Sequence, residues 1–85
     1  MKNVDLFFKE GSSNKEYHLQ LDEVKGGFIV NFQYGRVGNA LQVGTKTPTP
    51  VTLEEAEKIY NKILKEKTGK GYSEREGKKK MTIQP

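Results

Sequence analysis

The sequence predicts an α+β fold, an antiparallel sheet of about four to five strands with one amphipathic helix packed on one face. Three observations lead there. Four runs within the first 47 residues alternate apolar and polar side chains with a period of two. A single later stretch repeats its apolar residues at three- and four-residue steps instead. Short clusters of turn-forming residues separate the early runs, which favours antiparallel neighbours over crossovers.

The elements follow in chain order. Over residues 4–9, Val4, Leu6 and Phe8 alternate with Asp5, Phe7 and Lys9, and Gly11-Ser12-Ser13-Asn14 then reads as a turn. In residues 15–24, Tyr17, Leu19 and Leu21 face one way and His18, Gln20 and Asp22 the other. Lys25-Gly26-Gly27 is a tight hairpin connection, because the favoured two-residue turns need positive φ. Residues 28–36 carry Phe28, Val30 and Phe32 on the apolar face, with Asn31 and Gln33 outward. Gly35 and Gly38 bracket Arg36-Val37, a pattern that suggests a bulge, a bend, or close approach by another backbone. Residues 41–47 form the fourth strand, with Leu41 and Val43 inward and Gln42 and Lys46 outward.

Thr47-Pro48-Thr49-Pro50 ends the sheet segment, since each proline lacks a donor and keeps its predecessor extended. Thr52 is the expected N-cap of the helix, with Glu55 as its capping-box partner. Leu53, Ala56, Ile59, Tyr60, Ile63 and Leu64 form its apolar stripe, and Gly69 is the expected stop. Acidic residues at its start and Lys62, Lys65 and Lys67 near its end complement the helix dipole. Tyr72 is placed to dock back on the domain. Met81 and Ile83 alternate with Thr82 and Gln84 as in a short edge strand. The expected organisation is one domain over residues 1–85, with a core at about 3–72 and a basic tail or closing strand at 73–85.

The chain has 85 residues, of which 33% are hydrophobic and 31% charged. So small a core leaves little room for a deep substrate cavity. Without cysteine, disulfides and thiolate metal sites are excluded, and an intracellular, cytoplasmic protein is expected. No apolar run approaches the roughly 20 residues of a membrane span, and no membrane partner is expected. The net charge of +4 is unevenly placed. Basic and acidic residues cancel up to Leu64, whereas Lys65 to Lys80 hold seven basic residues against three acidic. Such a cluster attracts polyanions, or serves as a solubilising tail.

Catalytic constellations are missing from the sequence. His18 stands alone on the outward parity of its strand, with neither a cysteine nor a paired carboxylate to make a triad or metal site. Glu54, Glu55 and Glu57 read as cap and dipole residues. Gly35-Arg36-Val37-Gly38 lacks the Gly-Lys-Ser/Thr ending of a phosphate loop. No enzyme activity, cofactor or metal is expected. Tyr34 beside Arg36 remains. The tyrosine ring can stack on a base or sugar, and the guanidinium fork suits phosphate. Tyr34 also shares parity with Phe28, Val30 and Phe32, so a core tyrosine is the competing reading.

The segment Phe32-Gln33-Tyr34-Gly35-Arg36-Val37-Gly38 resembles the Trp-Gly-Arg signature of the WGR domain, with tyrosine in place of tryptophan. Asn14-Lys15-Glu16-Tyr17-His18-Leu19-Gln20-Leu21 is similar to the family's Asn-Lys-x-Tyr strand. Leu53 to Thr68, ending in Glu66-Lys67-Thr68, resembles the family helix, and Tyr72 stands where an aromatic follows it. WGR domains occur in DNA-dependent poly(ADP-ribose) polymerases, where they bind near DNA breaks, and in bacterial proteins. The resemblance implies that Tyr34 packs on a nucleotide, that Arg36 meets phosphate or sugar, and that Gly35 permits the approach. It also implies DNA contacts at Asn14 and Lys15, and at Lys79, which stands where some polymerases have a tyrosine. No transferase domain accompanies these features. Two functions are therefore expected: a non-catalytic nucleic-acid-binding module, for DNA rather than RNA, or a protein-interaction module that acts beside a partner or fused domain.

Overall fold

The structure is a computed structural model and describes residues 2–74. Strand β1 is Lys2–Glu10, β2 Ser13–Val24, β3 Gly27–Arg36 and β4 Gln42–Thr45; helix α1 is Leu53–Gly69, and β5 is Ser73–Glu74. They form one antiparallel sheet in the order β4-β3-β2-β1-β5 with α1 across one face, which is the α+β arrangement expected. The first three strands are longer than the alternation suggested because the tight hairpins let pairing run to their ends, whereas β4 is shorter than the expected 41–47. Residues 75–85, with the proposed edge strand around Met81 and Ile83 and most of the basic tail, lie outside the described residues.

Period-two alternation dictates which side chains meet the helix. Leu6, Leu19, Leu21 and Val30 are fully buried, and Tyr17 nearly so. From α1, Ala56, Tyr60 and Ile63 close over them, while Ile59 and Leu64 pack at the margin. Each fully buried aliphatic side chain contributes about 1.5–3 kcal/mol. Leu53, expected in the stripe, is 38% exposed. It lies in the first turn, ahead of the buried part of the stripe.

The fourth strand departs from its expected facing. The register pairs Phe32 with Gly44 and Tyr34 with Gln42, so Gln42 and Gly44 share the helix face. Val43 pairs with Gln33 on the opposite face and is 71% exposed. A shift of one residue reverses every side chain in a strand, and here pairing with β3 decided the facing. Beyond β4 the chain continues along β3 with side chains replacing part of the ladder. The buried Thr47 hydroxyl accepts the Val30 N–H at 3.0 Å, and Lys46 N–H donates to the Val30 carbonyl at 2.8 Å. Phe28 and Val51 then exchange two backbone bonds, which brings the chain to the helix start. Thr52 caps α1 as expected, accepting the Glu55 N–H at 3.1 Å.

The helix stop lies two residues past the expected one. Gly69 is still helical, Lys70 is the cap, and Gly71 has φ +106°. Gly71 N–H donates to Thr68 and Tyr72 N–H to Lys67, the bonding pattern of a Schellman motif. Tyr72 thereby folds back beside Phe8, with ring centroids 5.5 Å apart, and β5 pairs with β1. A Cβ at Gly71 would lie 2.9 Å from the Phe8 ring, whereas one at Gly69 meets nothing within 4 Å. Gly71→Ala is therefore expected to cost about 1–2 kcal/mol or more, the price of a left-handed L-residue. Gly69→Ala should instead stabilise by roughly 0.5–1 kcal/mol. Urea unfolding of the two variants checks the assignment, and equal losses would reject it.

Candidate nucleic-acid interface

The pairing of β2 with β3 assembles the helix-face end of the sheet. It runs one residue at a time from Lys15↔Arg36 to Val24↔Gly27 with no interruption, so the bulge considered at Gly35 does not form. Tyr17 therefore lies directly opposite Tyr34, and Lys15 directly opposite Arg36. On the other side of β2, Phe8 pairs with Lys15 and Leu6 with Tyr17. Arg36, Lys15 and Phe8 form one row across the sheet. Gln42, Tyr34, Tyr17 and Leu6 form the next.

Tyr34 is only in part a core residue. It occupies the core parity, yet it lies beyond the cover of α1 and is 39% exposed. Its ring stacks on Tyr17 at 6.1 Å with 25° between planes, and lies 5.9 Å from the tilted Phe32 ring. Its hydroxyl donates to the Gln42 side chain at 3.4 Å. Tyr17 is packed in turn against Phe32 at 5.7 Å, with Lys67 Nζ 4.6 Å from its ring centroid. Burial pushes the Tyr17 hydroxyl pKa up, and the Glu66 charge adds to this. Tyr34 is thus a part-exposed ring packed against two other aromatic rings.

Arg36 and Lys15 carry like charges at directly opposed positions, an arrangement unfavourable in isolation. Among the described residues, neither lies within salt-bridge distance of a carboxylate. The Arg36 guanidinium donates to the Ser12 carbonyl at 3.2 Å, which aims it across the β1–β2 turn. Lys15 Nζ lies 5.5 Å from the Phe8 ring centroid. Two exposed cations are thereby held beside Tyr34.

The other expected site residues stand apart from this group. Asn14 has the opposite parity to Lys15, and its carbonyl accepts the Val37 N–H at 2.9 Å, fixing the exit of β3. Gly35 does admit a close approach, but from the same chain: a Cβ there would lie 3.2 Å from Leu41 and 3.4 Å from the Ala40 carbonyl. Lys79 lies outside the described residues. Tyr17, Phe8, Lys67 and Tyr72 join this end of the sheet without being candidate site residues in the sequence. Alternation sets the facing of Phe8 and Tyr17 alone; the last turn of the helix and the Schellman turn bring Lys67 and Tyr72 to them.

The family model of the WGR domain matches residues 3–79. The chain belongs to the WGR domain family. No curated protein and no solved structure matches it. The WGR domain is a small, non-catalytic kind of module that commonly binds nucleic acid. In this WGR chain the signature segment ends β3, so its first and third residues, Tyr34 and Arg36, share the helix face and its glycine does not.

His18 belongs to the opposite face and is less isolated than its sequence context suggested. Its Nδ1 lies 2.7 Å from Asp5 Oδ1 and its Nε2 2.7 Å from Glu16 Oε1, with Phe7 edge-on at 5.9 Å. Asp5 is its register partner on β1, and Glu16 lies two residues before it on β2, so this clasp emerges only once the strands are paired. Partial burial alone lowers the imidazole pKa. The hydrogen bonds and charges of Asp5 and Glu16 together outweigh it, leaving the pKa above the ordinary 6.5. A folded-state pKa above the unfolded one gives stability that is complete below about pH 6.5 and lost as pH rises through the folded value. Urea midpoints should therefore fall from about pH 6 to pH 8.5, and His18→Gln should flatten that segment. Parallel profiles for the two proteins would contradict the linkage.

Among the described residues, no helix is long and apolar enough to cross a membrane, and no group of three or more His, Cys, Asp or Glu residues could hold a metal ion.

Proposed function

We propose that this WGR chain is a non-catalytic, cytoplasmic nucleic-acid-binding module that contacts DNA at a strand end through Tyr34, Arg36 and Lys15. One observation carries this reading: the Lys15–Arg36 pair, with no carboxylate in salt-bridge distance among the described residues, lies in register beside the part-exposed Tyr34 ring. A phosphate between the two cations supplies the charge that their juxtaposition lacks. Tyr34 then accepts the terminal sugar or base on its free face. The Tyr17 and Phe32 rings keep that face fixed, so little conformational entropy is lost on binding. Tyrosine in place of the signature tryptophan offers a smaller platform, which gives Arg36 and Lys15 more of the affinity. Asn14 acts as a positioning residue through its bond to Val37. Lys79 and the basic residues near it add sequence-independent attraction. Contacts of this kind orient the domain on the backbone and do not read sequence.

Anisotropy titrations with nicked and blunt duplexes at low salt provide the test. Tyr34→Ala is expected to lose about 1–3 kcal/mol of binding free energy, the usual loss for one stacked base. Arg36→Ala should weaken binding and reduce the slope of log K against log salt by about 0.9, one phosphate's share on duplex DNA. The reading fails if neither duplex binds, or if both variants bind like the parent. A protein partner that co-purifies with a chain lacking DNA affinity would establish the protein-interaction function instead.

A further inference from the structure

A groove of ≈ 290 Å³ runs between α1 and the β4 side of the sheet, lined by Lys46, Ile59, Lys62, Ile63 and Glu66. Its floor is apolar, from Ile59 and Ile63. Lys46 comes from the sheet edge and Lys62 from the helix. Glu66 follows Lys62 by one helical turn.

The row of the sheet beside the groove leads on to the Tyr34 corner. The helix face of the β4 edge presents Gln42, Gly44 and Lys46 in succession. Gln42 bonds Tyr34, and Lys46 Nζ lies 5.2 Å from the Phe32 ring centroid. Between them, the Phe32 ring lies against Gly44, where any Cβ would collide with it. Gly44 adds no side chain here, and the Phe32 ring occupies the space between Tyr34 and Lys46. Charges and rings then follow one another along this side of the sheet: Lys15 and Arg36, Tyr34, Phe32, and finally Lys46 and Lys62.

We propose that this groove is a second subsite, which holds an unpaired nucleotide of the same strand whose end packs on Tyr34. The proposal rests on the nucleic-acid reading above and specifies its ligand as a strand end with a single-stranded overhang. Cations with an aromatic step between them match a single strand, whose phosphates follow the charges while its bases meet apolar surface. The volume is near the lower end for a small-ligand site, a size that suits a single nucleotide. Glu66 repels phosphate, so the backbone takes the Lys46 and Lys62 positions and the base takes the isoleucine floor.

The test compares a blunt duplex with the same duplex carrying a three-nucleotide overhang. The overhang should bind about fivefold more tightly, and its salt slope should steepen by about 0.7 for each lysine that holds a phosphate. The double variant Lys46→Gln, Lys62→Gln should lose this advantage while binding blunt duplex within twofold of the parent. In the unaltered protein, NMR amide shifts at residues 44–46 and 59–66 should respond to the overhang and not to the blunt duplex, a readout independent of any variant's stability. Equal binding of the two duplexes, or an advantage that survives the double variant, overturns the second subsite and leaves the corner intact. Loss of all DNA binding overturns both.

Discussion

The uninterrupted pairing of β2 with β3 sets the two central pairs of the candidate interface. Alternation determines only whether a side chain is up or down. Register determines which side chains are neighbours, and here it opposes Tyr17 to Tyr34 and Lys15 to Arg36. The first pair gives a stacked aromatic base. The second creates an electrostatic cost that the fold tolerates at its solvated end. Both depend on a hairpin whose opposite end is fixed by Gly26 and Gly27, far along the strands from the residues it aligns.

Helix α1 covers the middle of this face and leaves the corner open. Its buried residues close over the aliphatic rows of the sheet, and its last turn brings Lys67 over Tyr17. The Schellman turn then sends Tyr72 back to Phe8. These contacts fix the rings beneath and beside Tyr34 without covering it. The same helix that completes the hydrophobic core thus also marks where the aromatic surface meets solvent.

Much of this architecture was legible in the sequence because the strong patterns agree with one another. The strands, the Thr52 cap and the apolar stripe each follow from local chemistry. The facing of Val43 is not set by its own sequence, because a four-residue edge strand offers too little alternation; register with β3 sets it, with Phe32 packed on Gly44. The helix passes Gly69 because glycine permits a stop without requiring one; the stop falls where Phe8 and Tyr72 can pack. Tyr34 and Arg36 stood out locally as a ring and a fork near glycines. The Lys15–Arg36 pairing, the clasp on His18 and the groove beside Lys46 join distant segments, and only register and helix placement bring those together.

The tyrosines have a practical consequence. The chain has four tyrosines and no tryptophan. Tyr17, Tyr34 and Tyr72 cluster at the open end of the sheet, with Tyr17 within 6.4 Å of each of the other two ring centroids, and Tyr60 is packed in the core. Three of the four tyrosines therefore stand at or beneath the proposed ligand surface, with no indole signal to mask their ultraviolet emission. The domain carries its own optical reporter, one that senses its surroundings at the corner and needs no attached dye.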